Sequence, residues 1–280
     1  MIATLAEVLH AAKADHRAVA GLVCLGWEDM RAYVRAAEAL DTPVILQAGP
    51  SCRRHTPLPV LGAMMRHLAE SVSVPVVVHL DHGNSLEECR QAIDSGFSSV
   101  MYDGSRLSLD ENIANTRSVV DLARPHGVSV EGEIGFVGYA AGEHSLGTDP
   151  IEAGQFAKAS AIDAMAISVG NVHLQLDTET ELNETLIHAI EAETEVPLVI
   201  HGGSGVPAAQ RAYLARTTNI CKYNIGTELR AAFGDHLRRV LTEHPDQFDR
   251  VQILSTVEDA LVARTQRLLE GLNKKDAVSG

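Results

Sequence analysis

The chain has 280 residues, of which 45% are hydrophobic, and its formal net charge is -14 at pH 7. This length and apolar content suffice for one large core, and α/β barrels of this length fold as a single domain. The negative charge argues against nucleic acid as a partner, because binding to phosphates requires clustered Lys and Arg. An anionic small molecule is compatible with it, since a site can be locally positive around a metal ion.

The first 20 residues predict an amphipathic helix rather than a signal peptide. Their apolar residues fall on one helical face, and charged residues interrupt the stretch. No segment of the sequence is long and apolar enough to span a bilayer, so we expect no membrane partner. The four cysteines form no C-x-x-C pair, which argues against a disulfide framework or a cysteine zinc site and favours a cytoplasmic protein.

Short runs rich in Val and Ile alternate with helical patterns along the chain. The eight runs are Ala18–Cys24, Pro43–Gln47, Pro75–Leu80, Ser99–Met101, Ser129–Ile134, Ala164–Val169, Leu198–Ile200 and Ile220–Asn224. Such runs are typical of parallel strands covered on both faces. They predict a (β/α)₈ TIM barrel, one domain over residues 1–280 with an N-terminal helix and a C-terminal helical extension. A doubly wound open sheet is the alternative, but it usually carries a Gly-rich loop after its first strand.

Two predicted helices carry signals at their ends. Ser85 and Glu88 form a capping-box pattern, in which each side chain accepts the free backbone N–H group of the other residue. Gly96 follows the same helix, as expected for a residue that tolerates positive φ. Asp149 stands just before Pro150, which predicts the first turn of another helix.

Three predicted strands end close to a histidine. These residues are His82, His173 and His201. Active sites of TIM barrels lie at the carboxyl ends of the strands, and three neutral imidazoles with an open fourth position form a catalytic zinc site. The pattern therefore predicts a zinc site at this end of the barrel. Ordinary half-buried histidines are the alternative, because the chain contains 13 of them.

Carboxylates accompany these histidines. Asp81 precedes His82, and neighbouring strand residues point to opposite faces, so one can bind metal while the other faces substrate. A structural cap is the alternative for Asp81. Asp103 follows the fourth run, and Glu131 and Glu133 share one face of the fifth. They would orient the histidines or hold a second cation, or else form structural ion pairs.

Glycine-rich turns follow the seventh and eighth runs. They read His201-Gly-Gly-Ser-Gly and Asn224-Ile-Gly-Thr. In TIM barrels the loops after these two strands often bind phosphate, and such turns present backbone N–H groups to an anion. We therefore predict an anion site at this position.

Together these motifs resemble the class II, zinc-dependent ketose-bisphosphate aldolases, which include the fructose- and tagatose-bisphosphate aldolases. The resemblance rests on Leu80-Asp81-His82-Gly83, Gly170-Asn171-Val172-His173, His201-Gly-Gly-Ser-Gly and Asn224-Ile-Gly-Thr-Glu228, in that order. It implies a lyase that cleaves or forms a carbon–carbon bond of a phosphorylated ketose, with dihydroxyacetone phosphate as donor and a zinc-stabilised enediolate. It also implies a Na⁺ or K⁺ ion near the phosphate, and a homodimer or homotetramer.

The resemblance also implies roles for individual residues. One zinc ion per subunit would be bound by the three histidines, and Asp81 would move the proton of the hydroxyl that becomes the aldehyde. The residues expected to contact the substrate and its phosphate are Gly170, Gly202, Gly203, Ser204, Asn224, Gly226 and Thr227. Asp103 and Glu133 match family carboxylates near the metal.

The chain departs from the family pattern at three places. Leu174 stands where family members usually carry Gly, and Leu22-Val23 stands where they usually carry Phe-Asn. The loop at 135–144 is shorter than the family's loop with its acidic tip, so Glu143 is the candidate catalytic acid or base and Tyr139 the second candidate. These departures predict a substrate other than ordinary fructose 1,6-bisphosphate.

Residues after the second run add a further hypothesis about the substrate. Ser51, Arg53 and Arg54 would bind a second phosphate or a carboxylate, because arginine suits bidentate anion contacts. Plain solvent exposure is the alternative for these side chains.

Two other functions stay open at this point. A zinc-dependent barrel hydrolase typically has a His-x-His pair on an early strand, which Val23-Cys24-Leu25-Gly26 does not provide. A non-catalytic sugar-phosphate-binding homologue would explain the missing Asn and the altered loop, but it would not need Asp81.

Overall fold

The computed structural model of the protein describes residues 1–139, 142, 144–175 and 180–273. Its strands are β1 (Ile2–Ala3), β2 (Val19–Val23), β3 (Val44–Ala48), β4 (Val76–Gly83), β5 (Ser99–Tyr102), β6 (Ser129–Ile134), β7 (Ala164–Ile167), β8 (Leu198–Ile200) and β9 (Ile220–Ile225). Its α-helices are α1 (Leu5–Ala14), α2 (Trp27–Ala39), α3 (Pro50–His55), α4 (Leu58–Glu70), α5 (Leu86–Asp94), α6 (Leu109–Ala123), α7 (Pro150–Ser160), α8 (Glu184–Glu191), α9 (Ala208–Thr217), α10 (Thr227–Glu243) and α11 (Arg250–Asn273).

Strands β2 to β9 form a closed parallel barrel. Each pairs with the next along the chain, and β9 pairs back onto β2. The short β1 lies outside the ring and pairs with the start of β4. All eight predicted runs are strands, so the TIM barrel is confirmed. Closure through β9 and β2 excludes the open doubly wound sheet, which has two free edges.

Helix α1 covers the amino-terminal end of the barrel. It begins at a capping box, in which Glu7 N donates to Thr4 Oγ1 and Thr4 N donates to the Glu7 carboxylate. Its buried face, including Leu5 and Leu9, packs against strand residues such as Val199. Because the helix fills this end, the strand ends opposite are where a site can open to solvent.

The predicted helix ends are present, with one difference. Asp149 caps α7 through Ile151 N and Glu152 N, and Gly96 has φ +84° after α5. Ser85 accepts the N–H of Glu88 at 3.1 Å, as predicted. The Glu88 carboxylate does not return to Ser85, however. It accepts the N–H of Asn84 at 2.8 Å, which leaves its other oxygen for an arginine.

Helix α11 forms the C-terminal extension and packs against α2, α9 and α10. Its Glu258 is buried and pairs with both Arg31 and Arg35 of α2. These contacts attach the extension to the outer helical layer, away from the barrel interior. Across the described ranges, no helix combines the length and apolar content that a membrane span requires.

Candidate active site

The three predicted histidines converge at the carboxyl end of the barrel. His82 ends β4, His201 directly follows β8, and His173 lies in the loop after β7. Their ring centroids are 4.7, 5.5 and 5.7 Å apart, and one nitrogen from each lies within 4.8 Å of the others. Histidines from three separate parts of the sequence thus present one ring nitrogen each to a common point, as a metal site requires.

Two buried atoms beside this point lack the partners they need. His201 Nδ1 and Glu133 Oε2 have no hydrogen-bond partner among the described residues, and they lie 3.5 Å apart. A buried polar atom without a partner costs about 1–3 kcal/mol. Burial and Asp103 raise the pKa of Glu133 to about 7, against the opposing charge of the histidines. A cation at this point would satisfy these atoms, so the donor set fits a metal ion.

Carboxylates orient two of the three rings. Asp103 Oδ2 lies 2.7 Å from His82 Nδ1, and Ser105 Oγ donates to the other Asp103 oxygen at 2.6 Å. Glu131 Oε1 lies 3.1 Å from His201 Nε2. Each carboxylate occupies one ring nitrogen and leaves the other for a ligand, which is the usual support of metal-binding histidines.

A buried polar network lies under the histidines inside the barrel. Lys222 Nζ donates to Glu131 Oε2 at 2.5 Å and lies 3.5 Å from His79 Nε2, whose Nδ1 is 2.8 Å from Ser99 Oγ. All four side chains are fully buried. Burial opposes ionisation of Glu131, but Lys222 and the histidines outweigh it and keep the pKa of Glu131 well below its usual range. Glu131 is therefore a fixed anion that holds His201 in place.

His79 makes stability depend on pH in a defined direction. Burial and the charge of Lys222 lower the pKa of His79 to about 3, whereas an unfolded histidine titrates near 6.5. Below pH 6.5 this histidine is protonated in the unfolded chain but stays neutral in the folded chain. The free energy of unfolding therefore decreases as pH falls from about 6.5 toward 3.

We expect His79→Gln to reduce the slope of the unfolding free energy against pH by up to about 1.4 kcal/mol per pH unit. Urea unfolding between pH 4.5 and 6.5 measures this slope. The matched control is His188→Gln, because His188 is exposed and pairs with Glu191. Equal slopes for His79→Gln and the unmutated protein would contradict the assignment.

Asp81 is placed to move a proton. It is buried and lines the cavity beside His82, and Asn224 Nδ2 donates to its Oδ1 at 3.3 Å. Burial raises the pKa of Asp81, but the charges of His82, His201 and Lys222 outweigh burial and lower it. Asp81 is thus a carboxylate at neutral pH, able to accept a proton from a bound hydroxyl.

The Arg53 side chain is buried and does not line the active-site cavity, so it does not bind a second anion there as the sequence predicted. Its side chain is 6% exposed, and its Nη1 donates to the carbonyls of Ala48 and Asp81 at 2.7 and 2.6 Å. Its Nη2 donates to the carbonyl of His82 at 2.9 Å, and its Nε to Glu88 at 2.8 Å. His82 has φ +53°, a conformation that surrounding contacts must maintain. Arg53 therefore fixes the backbone that carries Asp81 and His82.

Replacing Arg53 with Met is expected to lower the unfolding free energy by about 2–4 kcal/mol, because buried carbonyls and Glu88 lose their partner. Chemical denaturation measures this loss. The neighbouring Arg54→Met is the control, since Arg54 is exposed and should change stability by less than about 0.5 kcal/mol. Equal effects of the two substitutions would rule out the backbone role of Arg53.

A cavity of about 430 Å³ opens above the histidines. The predicted site residues that line it are Ser51, Asp81, His82, Asp103, His173, Gly202, Ser204, Asn224, Gly226 and Thr227. His201, Glu133 and Gly203 are buried and do not line it, and Gly170 is exposed and does not line it either. Arg54 also lines the cavity, so of the two arginines proposed for a second anion only Arg54 can reach a ligand there.

The two glycine-rich turns form one side of this cavity. Gly202 has φ +65°, and a Cβ there would lie 2.2 Å from Val172 O, so only glycine fits between the His201 turn and the His173 loop. Ser204 Oγ accepts the N–H groups of Gly226 and Glu228, both at 3.3 Å. This hydroxyl caps α10 and holds the two predicted phosphate turns together.

The loop after β6 covers His173. The Tyr139 ring stacks on the His173 ring at 5.0 Å, and His173 N donates to Gly138 O at 2.8 Å. Burial, with the nearby carboxylates, raises the pKa of the Tyr139 phenol, which keeps it protonated at neutral pH. Glu143, the first candidate for the acid or base of this loop, lies outside the described residues.

The backbone at Leu174 has the left-handed conformation that glycine adopts most readily. Leu174 has φ +57°, is half exposed and lines the cavity. A left-handed conformation costs a residue with a side chain about 1–2 kcal/mol. The strained backbone at Leu174 therefore places an apolar side chain in the wall of the cavity.

Two buried polar side chains, to which the sequence pattern assigned no role, support the site from inside the barrel. Lys222 is a charged residue inside the apolar run of β9. Asn171 follows β7 and is fully buried, and its Nδ2 donates to Ile167 O and His201 O at 3.2 and 3.0 Å. A polar residue within or directly after a buried strand is a signal of an internal partner.

Comparison with known proteins agrees with this arrangement. The family model described as "Fructose-bisphosphate aldolase class-II" matches residues 3–277. The 6-phospho-5-dehydro-2-deoxy-D-gluconate aldolase of Bacillus velezensis is 40% identical over 254 residues, which are 88% of this chain and 87% of that protein. The fructose-bisphosphate aldolase of Geobacillus stearothermophilus is 34% identical over 94% of this chain and 93% of its own.

A solved structure gives the same result at the level of the fold. The crystal structure of the YdjI aldolase from Escherichia coli K12 superposes with a TM-score of 0.87 at 30% identity and covers 98% of both chains. These matches favour aldolase activity over the two alternative functions, the barrel hydrolase and the non-catalytic homologue. The chain is an aldolase and belongs to the class II fructose-bisphosphate aldolase family.

Proposed function

We propose that the chain is a zinc-dependent aldolase that cleaves or forms a carbon–carbon bond of a phosphorylated ketose, with dihydroxyacetone phosphate as donor. The observation that carries the proposal is the buried Nδ1 of His201, which has no hydrogen-bond partner among the described residues and converges with nitrogens of His82 and His173 beside an ionised Asp81. The three histidines would hold a zinc ion, which would supply Lewis-acid stabilisation of the negative charge that develops on the donor.

The chain's own groups supply the proton movements and the orientation. Asp81 accepts or returns the proton of the hydroxyl that becomes the aldehyde, a contribution of about 10²–10⁴-fold. Asn224 fixes Asp81 and offers the donor a hydrogen bond. Either Glu143 or Tyr139, whose ring stacks on His173, moves the donor's carbon-bound proton. Asp103 and Glu133 keep His82 in place or hold a second cation.

The donor phosphate binds at the two turns that contain Ser204 and Thr227. Both relatives named above carry phosphorylated substrates in their names, which supports a phosphorylated sugar here. Ser51 and Arg54 bind the other end of the substrate. We also expect a monovalent cation near the phosphate, a homodimer or homotetramer, and a cytoplasmic location.

Metal removal and restoration test the proposed function. The protein is dialysed against a chelator and then supplied with zinc, and cleavage of fructose 1,6-bisphosphate and of 6-phospho-5-dehydro-2-deoxy-D-gluconate is followed by the triose phosphate released. We expect no cleavage after dialysis and restored cleavage of at least one substrate with stoichiometric zinc. Equal cleavage before and after metal removal would contradict the metal dependence.

A further inference from the structure

The Arg106 side chain connects the loop after β5 with the loop after β6 at the rim of the active-site cavity. Its guanidinium carbon lies 4.3 Å from the centroid of the Phe136 ring, over the ring face, and both side chains line the cavity. A guanidinium at this distance is attracted by the negative face of an aromatic ring. No step of the proposed reaction given above uses either residue.

The loop that carries Arg106 is fixed to one of the proposed zinc ligands. The backbone N–H and the hydroxyl of Ser105 both donate to Asp103 Oδ1, at 3.2 and 2.6 Å. The other Asp103 oxygen lies 2.7 Å from His82 Nδ1. The residue before Arg106 therefore shares its anchor, Asp103, with the ring of His82.

The loop after β6 is held at its base and extends to a second proposed zinc ligand. Phe136 N donates to Leu146 O at 2.9 Å, and Leu146 N donates to Phe136 O at 2.8 Å. Three residues after Phe136, the Tyr139 ring stacks on the His173 ring, and Gly138 O accepts the N–H of His173. Residues 136–139 thus form a short arm between this backbone pair and His173.

The charge of Arg106 also acts on the far end of this arm. Burial and the nearby carboxylates raise the pKa of the Tyr139 phenol, and the charge of Arg106 opposes that rise. Arg106 thus contacts the first ring of the arm and lies close enough to influence the last. It joins the loop that orients His82 to the arm that covers His173.

We infer that Arg106 is a positioning residue, which holds residues 136–139 over His173 and so sets the rate of proton transfer at the donor's carbon. The inference rests on the proposed function for the identity of the donor and for the role of this loop. The two phosphate turns follow β8 and β9, which are not neighbours of β5 in the barrel. Loss of Arg106 should therefore change the rate and not the affinity for the donor.

Replacing Arg106 with Met tests the inference, because Met keeps an apolar stem and loses the cation. The full-length, zinc-loaded protein is incubated with saturating dihydroxyacetone phosphate in heavy water, and loss of the carbon-bound proton is followed by NMR. We expect the rate to fall by about 3- to 10-fold, the size that a partly exposed cation–π contact allows. The Kd for dihydroxyacetone phosphate, from titration calorimetry, should change by less than about twofold. Arg106→Lys should recover part of the rate, because it keeps a cation over the ring.

A second variant removes the other half of the contact. Phe136→Leu should give a loss of similar size, and the double variant should lose no more than either single variant, because both remove one interaction. Arg117→Met is the matched control, since Arg117 lies on α6, the helix after this loop, and pairs with Asp121 while both stay exposed. Its exchange rate should equal that of the unmutated protein.

Backbone hydrogen exchange gives a result that does not depend on turnover. The amides of Phe136 and Leu146 should exchange faster in Arg106→Met than in the unmutated protein or in Arg117→Met. If Arg106→Met keeps both the amide exchange and the donor exchange of an active unmutated protein, the positioning role is wrong and the proposed function stands. If it weakens donor binding and leaves the rate at saturation unchanged, Arg106 binds substrate and the positioning role is likewise wrong. If the unmutated protein holds zinc but does not act on this donor, the proposed function fails, and the amide exchange alone decides whether Arg106 holds the arm.

Discussion

Replacing His173 with Ala is expected to reduce kcat/KM by at least about 1,000-fold and to remove bound zinc. A catalytic metal ion would contribute several kcal/mol to transition-state stabilisation, and each 1.36 kcal/mol is a factor of ten in rate. His173 is the most suitable of the three histidines for this test, because its ring lies in a loop and makes no hydrogen bond to the barrel interior among the described residues. His201, by contrast, is fully buried on Glu131, and its loss would perturb the core.

Two measurements make the His173 result decisive. Metal analysis of the purified variant should show zinc well below one ion per chain, while circular dichroism and thermal unfolding stay close to those of the unmutated protein. His144→Ala is the matched control, since His144 is an exposed histidine of the adjacent loop and lies outside the cluster. A His173→Ala protein that keeps full zinc and full activity would remove His173 from the metal site.

Replacing Asp81 with Asn is expected to lower kcat by about 10²–10⁴-fold, with zinc content and donor binding preserved. Asn keeps the size of the side chain, and its carbonyl oxygen can still accept the hydrogen bond from Asn224. What it loses is the carboxylate that His82, His201 and Lys222 keep ionised. The loss therefore falls on proton transfer and not on the metal site.

The Asp81 variant separates a chemical role from a structural one. Asp163→Asn is the control, because Asp163 accepts the N–H of Val130 at 2.7 Å at the amino-terminal end of the barrel. That change should alter stability and leave kcat unaffected. If Asp81→Asn instead loses zinc, or keeps kcat within about threefold, Asp81 does not act as the general acid or base.

The positions of the histidines could be predicted because short apolar runs mark where each strand ends in this sequence. Each apolar run became a strand of the barrel, and parallel strands bring their carboxyl ends to one rim. Residues such as His82 and His201, which end or follow these runs, had to meet there. The spacing of side chains along a strand likewise placed Glu131 and Glu133 together inside the barrel.

The roles of the basic residues could not be read in the same way. Arg53 and Arg54 are adjacent in sequence, yet one is buried on three backbone carbonyls and the other faces the cavity. The difference depends on where the six-residue helix α3 lies over the end of β4. Arg230, in the first turn of α10, depends on the same kind of information, since the direction of that helix places it in the cavity wall. Sequence periodicity does not contain these packing angles.

Proton exchange of dihydroxyacetone phosphate in heavy water tests the central claim most directly. The zinc-loaded protein is incubated with this compound alone, and loss of its carbon-bound proton signal is followed by NMR with and without chelator. We predict stereospecific exchange that chelation abolishes and added zinc restores, which requires no knowledge of the aldehyde. Absence of exchange in protein shown to hold one zinc ion per chain would contradict the claim that this barrel forms the enediolate of that donor.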